Sequence, residues 1–444
     1  MKKKVLLSAS LLMASSLAFA GGLLTNTNQN ASFLRNPSRN AVIAIDGVYS
    51  NPAGIAYLPK GFHMSLSWQG AWQKRQITST APFYPLGTMN NGASTKLFEG
   101  VSKAPVIPSF QAAYVFNDKW SISGQFAVGG GGGKCEFANG LPMFEKLVYS
   151  QLATGVAGKV PTASIAGYSM NQNLIGEQYF YGIQLGGTYK IIDHLSVFGG
   201  VRAVIAKCSY VGAISGISGD VKLPQAMGGA VMPGYAKSED FNLDCSQSAL
   251  GITPILGVNF NYGKWNLAAK YEFRTKINLE NDSKNSANVD ALMPQYANGA
   301  KVRSDIPAIL SMGAQYSVLP SLRLNLGYNQ YFDKKAQGAS TAVSKNTFEL
   351  NFGTEWDITD RIMISAGVQR TQYGFEDKDM TDTNFNISST AVCVGGAYKF
   401  CENVKLNIGY MHSFYGDHTV EANGMKDVYT RKNDVVGASL DFKF

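Results

Sequence analysis

The stretch SLRLNLGYNQ, Ser321–Gln330, alternates without a break. Leu322, Leu324, Leu326 and Tyr328 fall on one phase, and Arg323, Asn325, Gly327 and Asn329 on the other. Side chains alternate across a strand, so this segment has one apolar face and one wetter face. The same period recurs in Asn403–Met411, in Asp360–Arg370 and in the last ten residues, where Val436, Ala438, Leu440, Phe442 and Phe444 share a phase. No stretch beyond the N-terminus is apolar for 18 residues, so no transmembrane helix is implied there. The repeated alternation makes the chain all-β.

A soluble sandwich alternates too, but three features favour a membrane barrel. The segments run to roughly 10 to 15 residues, where globular strands favour about 5 or 6. Connections alternate between tight turns (117–119, 192–194, 262–264, 319–321, 359–361 and 401–403) and long polar stretches such as Cys135–Gly176, Ser209–Cys245 and Glu280–Ser304. Trp120 and Trp265 follow tight turns and Trp356 precedes one, which sets them at one rim as an aromatic girdle requires. Fourteen strands are predicted: 62–78, 105–117, 119–129, 177–191, 194–208, 246–261, 263–279, 304–318, 321–332, 345–357, 360–371, 387–400, 402–415 and 430–444. The expectation is a 14-stranded antiparallel transmembrane β-barrel over residues 61–444, with both termini on the periplasmic side of a bacterial outer membrane. Its partners are then the lipid bilayer and, through the terminal Phe444, the outer-membrane assembly machinery. A monomer is expected.

The N-terminus reads as an export signal over residues 1–20. Three lysines precede an apolar run from Val5 to Leu17, and Ala18-Phe19-Ala20 has the small-x-small form of a cleavage site. Loss of its three lysines takes the formal charge from +8 to +5. The remaining basic residues are scattered, which excludes a nucleic-acid footprint. The five cysteines (135, 208, 245, 393 and 401) are odd in number and show no zinc-site spacing; Cys208 with Cys245, or Cys393 with Cys401, could close a loop. No metal or cofactor is implied.

Between this signal and the first strand lies GVYSNPAGIAYLPKG, Gly47–Gly61, with turn-forming Asn51-Pro52-Ala53-Gly54 inside an apolar run. Together with Val106-Ile107-Pro108-Ser109-Phe110, the Phe116–Trp120 turn, Ile252–Val258 and the Lys270–Ile277 strand, this arrangement resembles the FadL/TodX family of outer-membrane long-chain fatty-acid transporters. The resemblance implies that residues 21–60 fold inside the barrel as a hatch, with Asn51, Pro52, Ala53 and Gly54 in the gate. It also implies a hydrophobic ligand, captured near the outer loops, passed to a pocket against the hatch and released sideways at a kinked third strand. The Asn-rich stretch Gly22–Asn40 departs from the family, so ligand-facing hatch contacts are not assigned.

Gly129, Gly130, Gly131, Gly132 and Gly133 end the third strand and suit such a kink; a flexible exit into a loop is the alternative. Pro254 inside a strand predicts a bulge or bend. On the phase opposite the lipid-facing residues, Phe198, Arg202, Val204 and Ile255 form a candidate lumen or ligand path, the alternative being packing against the hatch. The rival function is a general diffusion porin for small polar solutes, which would prefer a polar interior. An enzyme is not indicated: there is no G-x-S-x-G or H-E-x-x-H, and His63, His194, His412 and His418 lie in strands, a turn and a loop. The loop acids Asp377, Asp379 and Asp382 lack EF-hand spacing.

Overall fold

The computed structural model describes residues 29–338 and 343–444; the expected signal peptide and residues 21–28 lie outside the described residues. Fourteen long strands form the wall: β1 Gly61–Thr80, β2 Thr95–Val115, β3 Trp120–Phe137, β4 Ser164–Ile192, β5 Leu195–Lys222, β6 Phe241–Tyr262, β7 Trp265–Glu272, β8 Ile309–Leu319, β9 Leu322–Tyr331, β10 Phe348–Asp357, β11 Ile362–Gln372, β12 Ser389–Cys401, β13 Val404–Tyr415 and β14 Met425–Lys443. Each pairs antiparallel with the next. The ladder of β14 with β1, from His63 opposite Lys443 to Thr80 opposite Lys426, closes the cylinder. Closure leaves no free edge, which is the condition for a sheet to span lipid.

The alternation read from Ser321–Gln330 is the wall's own. Leu326, Leu350, Phe352, Ile364, Val368, Val394 and Ile408 point outward and are exposed, while Asn325, Asn351, Ser365, Gln369 and Asn407 point inward and are buried. Trp120, Trp265 and Trp356 are exposed beside the tight turns, as a girdle requires. All six tight turns join strands at one end of the barrel, here the turn end; the long connections crowd the loop end.

The structure corrects the reading at the loop end. The predicted fourth and fifth strands, 177–191 and 194–208, extend to 29 and 28 residues, so much of the two polar stretches read as loops is wall. Above the lipid-facing belt both faces meet water or protein, and the outward apolar signal is lost. Short strands Val231–Lys237, Asn278–Ser283, Lys301–Arg303 and His418–Ala422 lengthen the loop-end hairpins, and a 16-residue helix, α3 Pro142–Ala157, packs on them. Beneath lies an apolar core that includes Ile77, Tyr84, Phe98, Phe137, Leu147, Val148 and Tyr210.

The predicted strand 263–279 ends at Glu272 opposite Ile309, the strand start that follows Pro307 and Ala308. Proline at 307 has no N–H for a longer ladder. Pro254 causes no bulge against β5, whose register runs through it unshifted; instead the β6–β7 ladder stops at Ile255, beside it. All five cysteines are free thiols, so neither suggested pair is closed.

Candidate functional site

Residues 29–60 run inside the barrel, and most of them are buried. Two single-turn helices, α1 Ser32–Arg35 and α2 Gly47–Ser50, and a 3-10 turn over Pro52–Tyr57 shape this inner segment. Helices this short are not stable alone; side chains of the wall hold them. Asn30 donates to Ser65 and Gln111, both at 3.0 Å. Asn40 donates to the Met312 carbonyl and to Asn329, each at 3.0 Å, on the opposite side of the lumen.

The strongest attachment is ionic. One oxygen of Glu355 accepts from both Arg35 and Arg39 at 2.7 Å. Asp46 grips Arg39 with both oxygens, also at 2.7 Å. Arg323 completes the group, 2.6 Å from Asp357 and 3.5 Å from Glu355. Three guanidinium groups thus face three carboxylates, and Arg35 and Arg39 are almost fully buried. Buried charges persist only when paired and hydrogen-bonded in this way.

Asn51-Pro52-Ala53-Gly54 forms the last turn before β1. The Asn51 side chain accepts from the Gly54 N–H at 3.2 Å, capping the 3-10 turn that Pro52 begins, and donates to Asn259 at 2.8 Å. It lies so close over Gly54 that a Cβ there would stand 2.4 Å from its amide nitrogen, so a larger residue would displace this cap. Thr188 donates to the Pro52 carbonyl at 2.9 Å and Ser196 to that of Ala53 at 2.7 Å. Phe198 and Ile255, two of the four candidate path residues, pack on Ala53.

The other two, Arg202 and Val204, line a small cavity of about 20 Å³ together with Gly129, Phe180 and Phe273. Arg202 and Lys270 both bind Glu272 at 2.6 Å. Lys270 also donates to the Tyr49 carbonyl at 2.7 Å, and both cations lie against the Tyr49 ring, at 5.2 and 4.2 Å. Here two cations share one carboxylate, unlike the balanced group around Glu355.

The wall beside this cavity lacks part of its ladder. The β2–β3 ladder pairs Ser102 with Cys135, then breaks off until Ser109 pairs with Ala127. Lys103–Pro108 and Val128–Lys134 face each other unpaired across the interruption, although β2 stays bonded to β1, and β3 to β4 through two bulges. The sequence explains it. Pro105 and Pro108 have no N–H to offer, and the glycine run permits backbone that other residues avoid. Gly131 has φ +97°, and a Cβ there would stand 2.3 Å from the Gln178 carbonyl oxygen. Gln29, the first described residue, sits at the inner lip. Its carbonyl accepts from Ser109, its side chain accepts from Gln125 at 3.1 Å, and its amide nitrogen would lie 3.6 Å from a Cβ on Gly129.

At the loop end, α3 and the short helix α4 Ala287–Leu292 enclose an apolar slot of about 40 Å³, lined by Met143, Phe144, Leu147, Ile214, Phe241 and Leu292 among others. A wider cleft of about 610 Å³ adjoins it, with Lys159 and Lys237 on its rim. The sequence reading missed this helix, yet its signal is present: proline at the first position and apolar residues at 144, 147, 148, 152 and 156.

The start of α3 is pinned by Asp382, which accepts from the Met143 N–H at 2.7 Å and from Tyr429 at 3.3 Å. Burial first, and then the Asp427 carboxylate, push the Asp382 carboxyl up to about 7, against the opposing effects of the Met143 N–H, Tyr429 and Lys146. A carboxyl whose pKa is raised by docking binds its proton more tightly when docked. Docking of this loop is therefore strongest in acid and weakens as pH rises from about 4 towards 7. Hydrogen exchange of the α3 amides is expected to speed up between pH 5 and pH 8 beyond the intrinsic chemical trend. Asp382→Asn is expected to abolish that excess; an unchanged excess in the variant rejects the assignment.

The histidines do not converge. His63 faces the Pro59 carbonyl at 2.7 Å, His194 the Asn261 carbonyl at 3.0 Å, His412 Asp434 at 2.7 Å on the outer wall and His418 Asp377 at 3.0 Å in a loop. Among the described residues no three His, Cys, Asp or Glu side chains are grouped to hold a metal.

No protein-family model matches the chain, and no curated protein matches it in sequence. Solved structures match it in fold. A FadL homologue from Pseudomonas aeruginosa superposes with a TM-score of 0.66 at 15% identity, over 96% of this chain and 100% of that one. The toluene transporter TodX of P. putida gives 0.61 at 13% identity, over 97% and 99%. The toluene transporter TbuX of Ralstonia pickettii gives 0.56 at 13% identity, over 95% and 99%. At such identities the likeness is one of fold.

Proposed function

We propose that the chain is an outer-membrane channel for the uptake of long-chain fatty acids or other hydrophobic compounds. The inner segment serves as its hatch and the β3 interruption as its lateral exit. The observation that carries this reading is the break in the β2–β3 ladder, which leaves a stretch of wall without backbone pairing beside a filled lumen. A diffusion porin needs an unobstructed axial path, whereas here residues 29–60 cross the lumen and bond to opposite walls. The names of the structural neighbours, a FadL homologue and two toluene transporters, support the same class of cargo.

The turn end is then periplasmic and the loop end external. A ligand enters the apolar slot under α3, moves down the lumen to the cavity beside Arg202 and leaves past the glycines. Phe444, whose N–H donates to the Phe62 carbonyl at 2.8 Å at the closing seam, is the signal for barrel assembly.

Binding and permeation test the reading. Purified protein is expected to bind palmitate or toluene saturably, and liposomes carrying it are expected to retain small sugars. Free passage of sugars without saturable binding would establish the porin instead.

A further inference from the structure

The closing ladder sets two lysines side by side on the outer face: Lys74 of β1 stands directly opposite Lys432 of β14. The same row of partners continues through Phe414 on β13 and Thr390 on β12 to Arg370 on β11. These five point away from the lumen, and Lys74, Lys432, Phe414 and Arg370 are exposed, Phe414 to 58%. Like charges directly opposite each other are unfavourable in a sheet. The carboxylates on this face already have partners. Glu99 is shared by Lys74 at 3.2 Å and Gln76 at 2.8 Å, while Asp434 is held by Tyr410 at 2.6 Å and His412 at 2.7 Å. Arg370 bonds to neutral oxygens, of Thr390 and Gln372, at 3.2 Å each.

The row lies where the apolar belt ends. Towards the turn end, the next outward positions are Trp72, Val392 and Val368, then Val436, Tyr410 and Val394. Towards the loop end stand the polar Gln76, Thr430 and Gln372. Such a boundary, marked by aromatic rings, is the depth of lipid head groups. Neighbouring strands are about 4.8 Å apart, so Lys74 and Lys432 form one cationic point and Arg370, three strands from Lys432, a second about 14 Å away. The Phe414 ring and the Thr390 hydroxyl fill the interval. Two cationic points bridged by a ring and a hydroxyl, with apolar side chains below, match a lipid with a phosphate at each end of a sugar body. A phospholipid with one phosphate engages only one of the points.

We propose that Lys74, Lys432 and Arg370 form a surface site for a bisphosphorylated glycolipid of the outer leaflet, whose acyl chains lie on Trp72, Tyr410 and Val394. One phosphate sits between the lysines as an anion between point charges and offsets their repulsion; the other meets the guanidinium fork of Arg370. The site is on the outside of the wall and concerns the bilayer, not the cargo. From the channel reading it takes only the placement of the loop end outside the cell.

Native mass spectrometry of the full-length barrel in detergent tests the site, with bisphosphoryl lipid A, monophosphoryl lipid A and phosphatidylglycerol added in turn. Bisphosphoryl lipid A is expected to bind at least about fivefold more tightly than either of the others, the effect of one further cation–phosphate contact at a membrane surface. Lys432→Gln is expected to weaken it by about fivefold, and Lys432→Arg to keep most of the affinity. Lys207→Gln serves as the control for net charge: Lys207 is exposed on β5, and its ladder partners Tyr179 and Ser248 are uncharged. That variant is expected to bind as the wild type does. Heat-modifiable gel mobility confirms that each variant is a closed barrel. Equal binding of the two forms of lipid A, undiminished binding in Lys432→Gln, or an equal loss in Lys207→Gln overturns the site. Phosphatidylglycerol bound as tightly as bisphosphoryl lipid A overturns its assignment to a glycolipid. Saturable toluene binding, measured on the same preparation, reports on the channel reading separately.

Discussion

Oxidising a cysteine pair placed across the wall opening, Ala104→Cys with Gly133→Cys, is expected to reduce uptake of a hydrophobic ligand to the level of protein-free vesicles. A Cβ added at Gly133 would stand 3.4 Å from that of Ala104, close to the roughly 3.5 to 4.5 Å of a disulfide. Gly133 has φ +67°, a conformation that a cysteine adopts at a cost of about 1 to 2 kcal/mol. The bond would tie β2 to β3 where their ladder is absent. Cys135, two residues on, should be replaced by Ala to prevent mispairing. A reductant should restore uptake, which separates closure of the exit from damage to the fold. Uptake undiminished in the oxidised protein would exclude the opening as the route.

Glu355→Ala is expected to undock the inner segment while leaving the wall intact. The carboxylate removed is the one shared by Arg35 and Arg39, and both arginines stay buried. Breaking a buried pair by deleting one partner costs about 3 to 5 kcal/mol. At about 1.4 kcal/mol per tenfold, that raises the undocked population by 100-fold or more. The cost falls on the segment because the ladders flanking Glu355 do not depend on its side chain. Proteolysis within residues 29–46 and single-channel conductance should both rise, with heat-modifiable mobility unchanged. A variant as resistant and as silent as the wild type would show that other contacts hold the segment.

Why the wall could be read and its contents could not follows from how each is encoded. Ser321–Gln330 reports its own geometry, because a bilayer outside and a polar lumen inside impose opposite demands on successive residues. The signal fades where that contrast fades, which is why the outer parts of β4 and β5 were read as loops. The glycine run was legible as a kink, but the unpaired stretch opposite it depends equally on Pro105 and Pro108, and two strands must be aligned before they face each other. The attachment of Arg39 to Glu355 spans 316 residues and leaves no local pattern. Phe198 and Ile255 read as inward-facing from their own strands, but their packing on Ala53 depends on a segment far away in sequence and leaves no mark there. The lysines at 74 and 432 face each other only because the last strand closes on the first.

The glycines at the proposed exit carry a consequence for selectivity. A passage edged by glycine presents only backbone N–H and carbonyl groups, the same in every residue; it sorts by girth more than by side-chain chemistry. Sorting must therefore happen upstream, where side chains converge. A mutation that widens the proposed exit should then admit bulkier cargo without changing which chemical class is preferred.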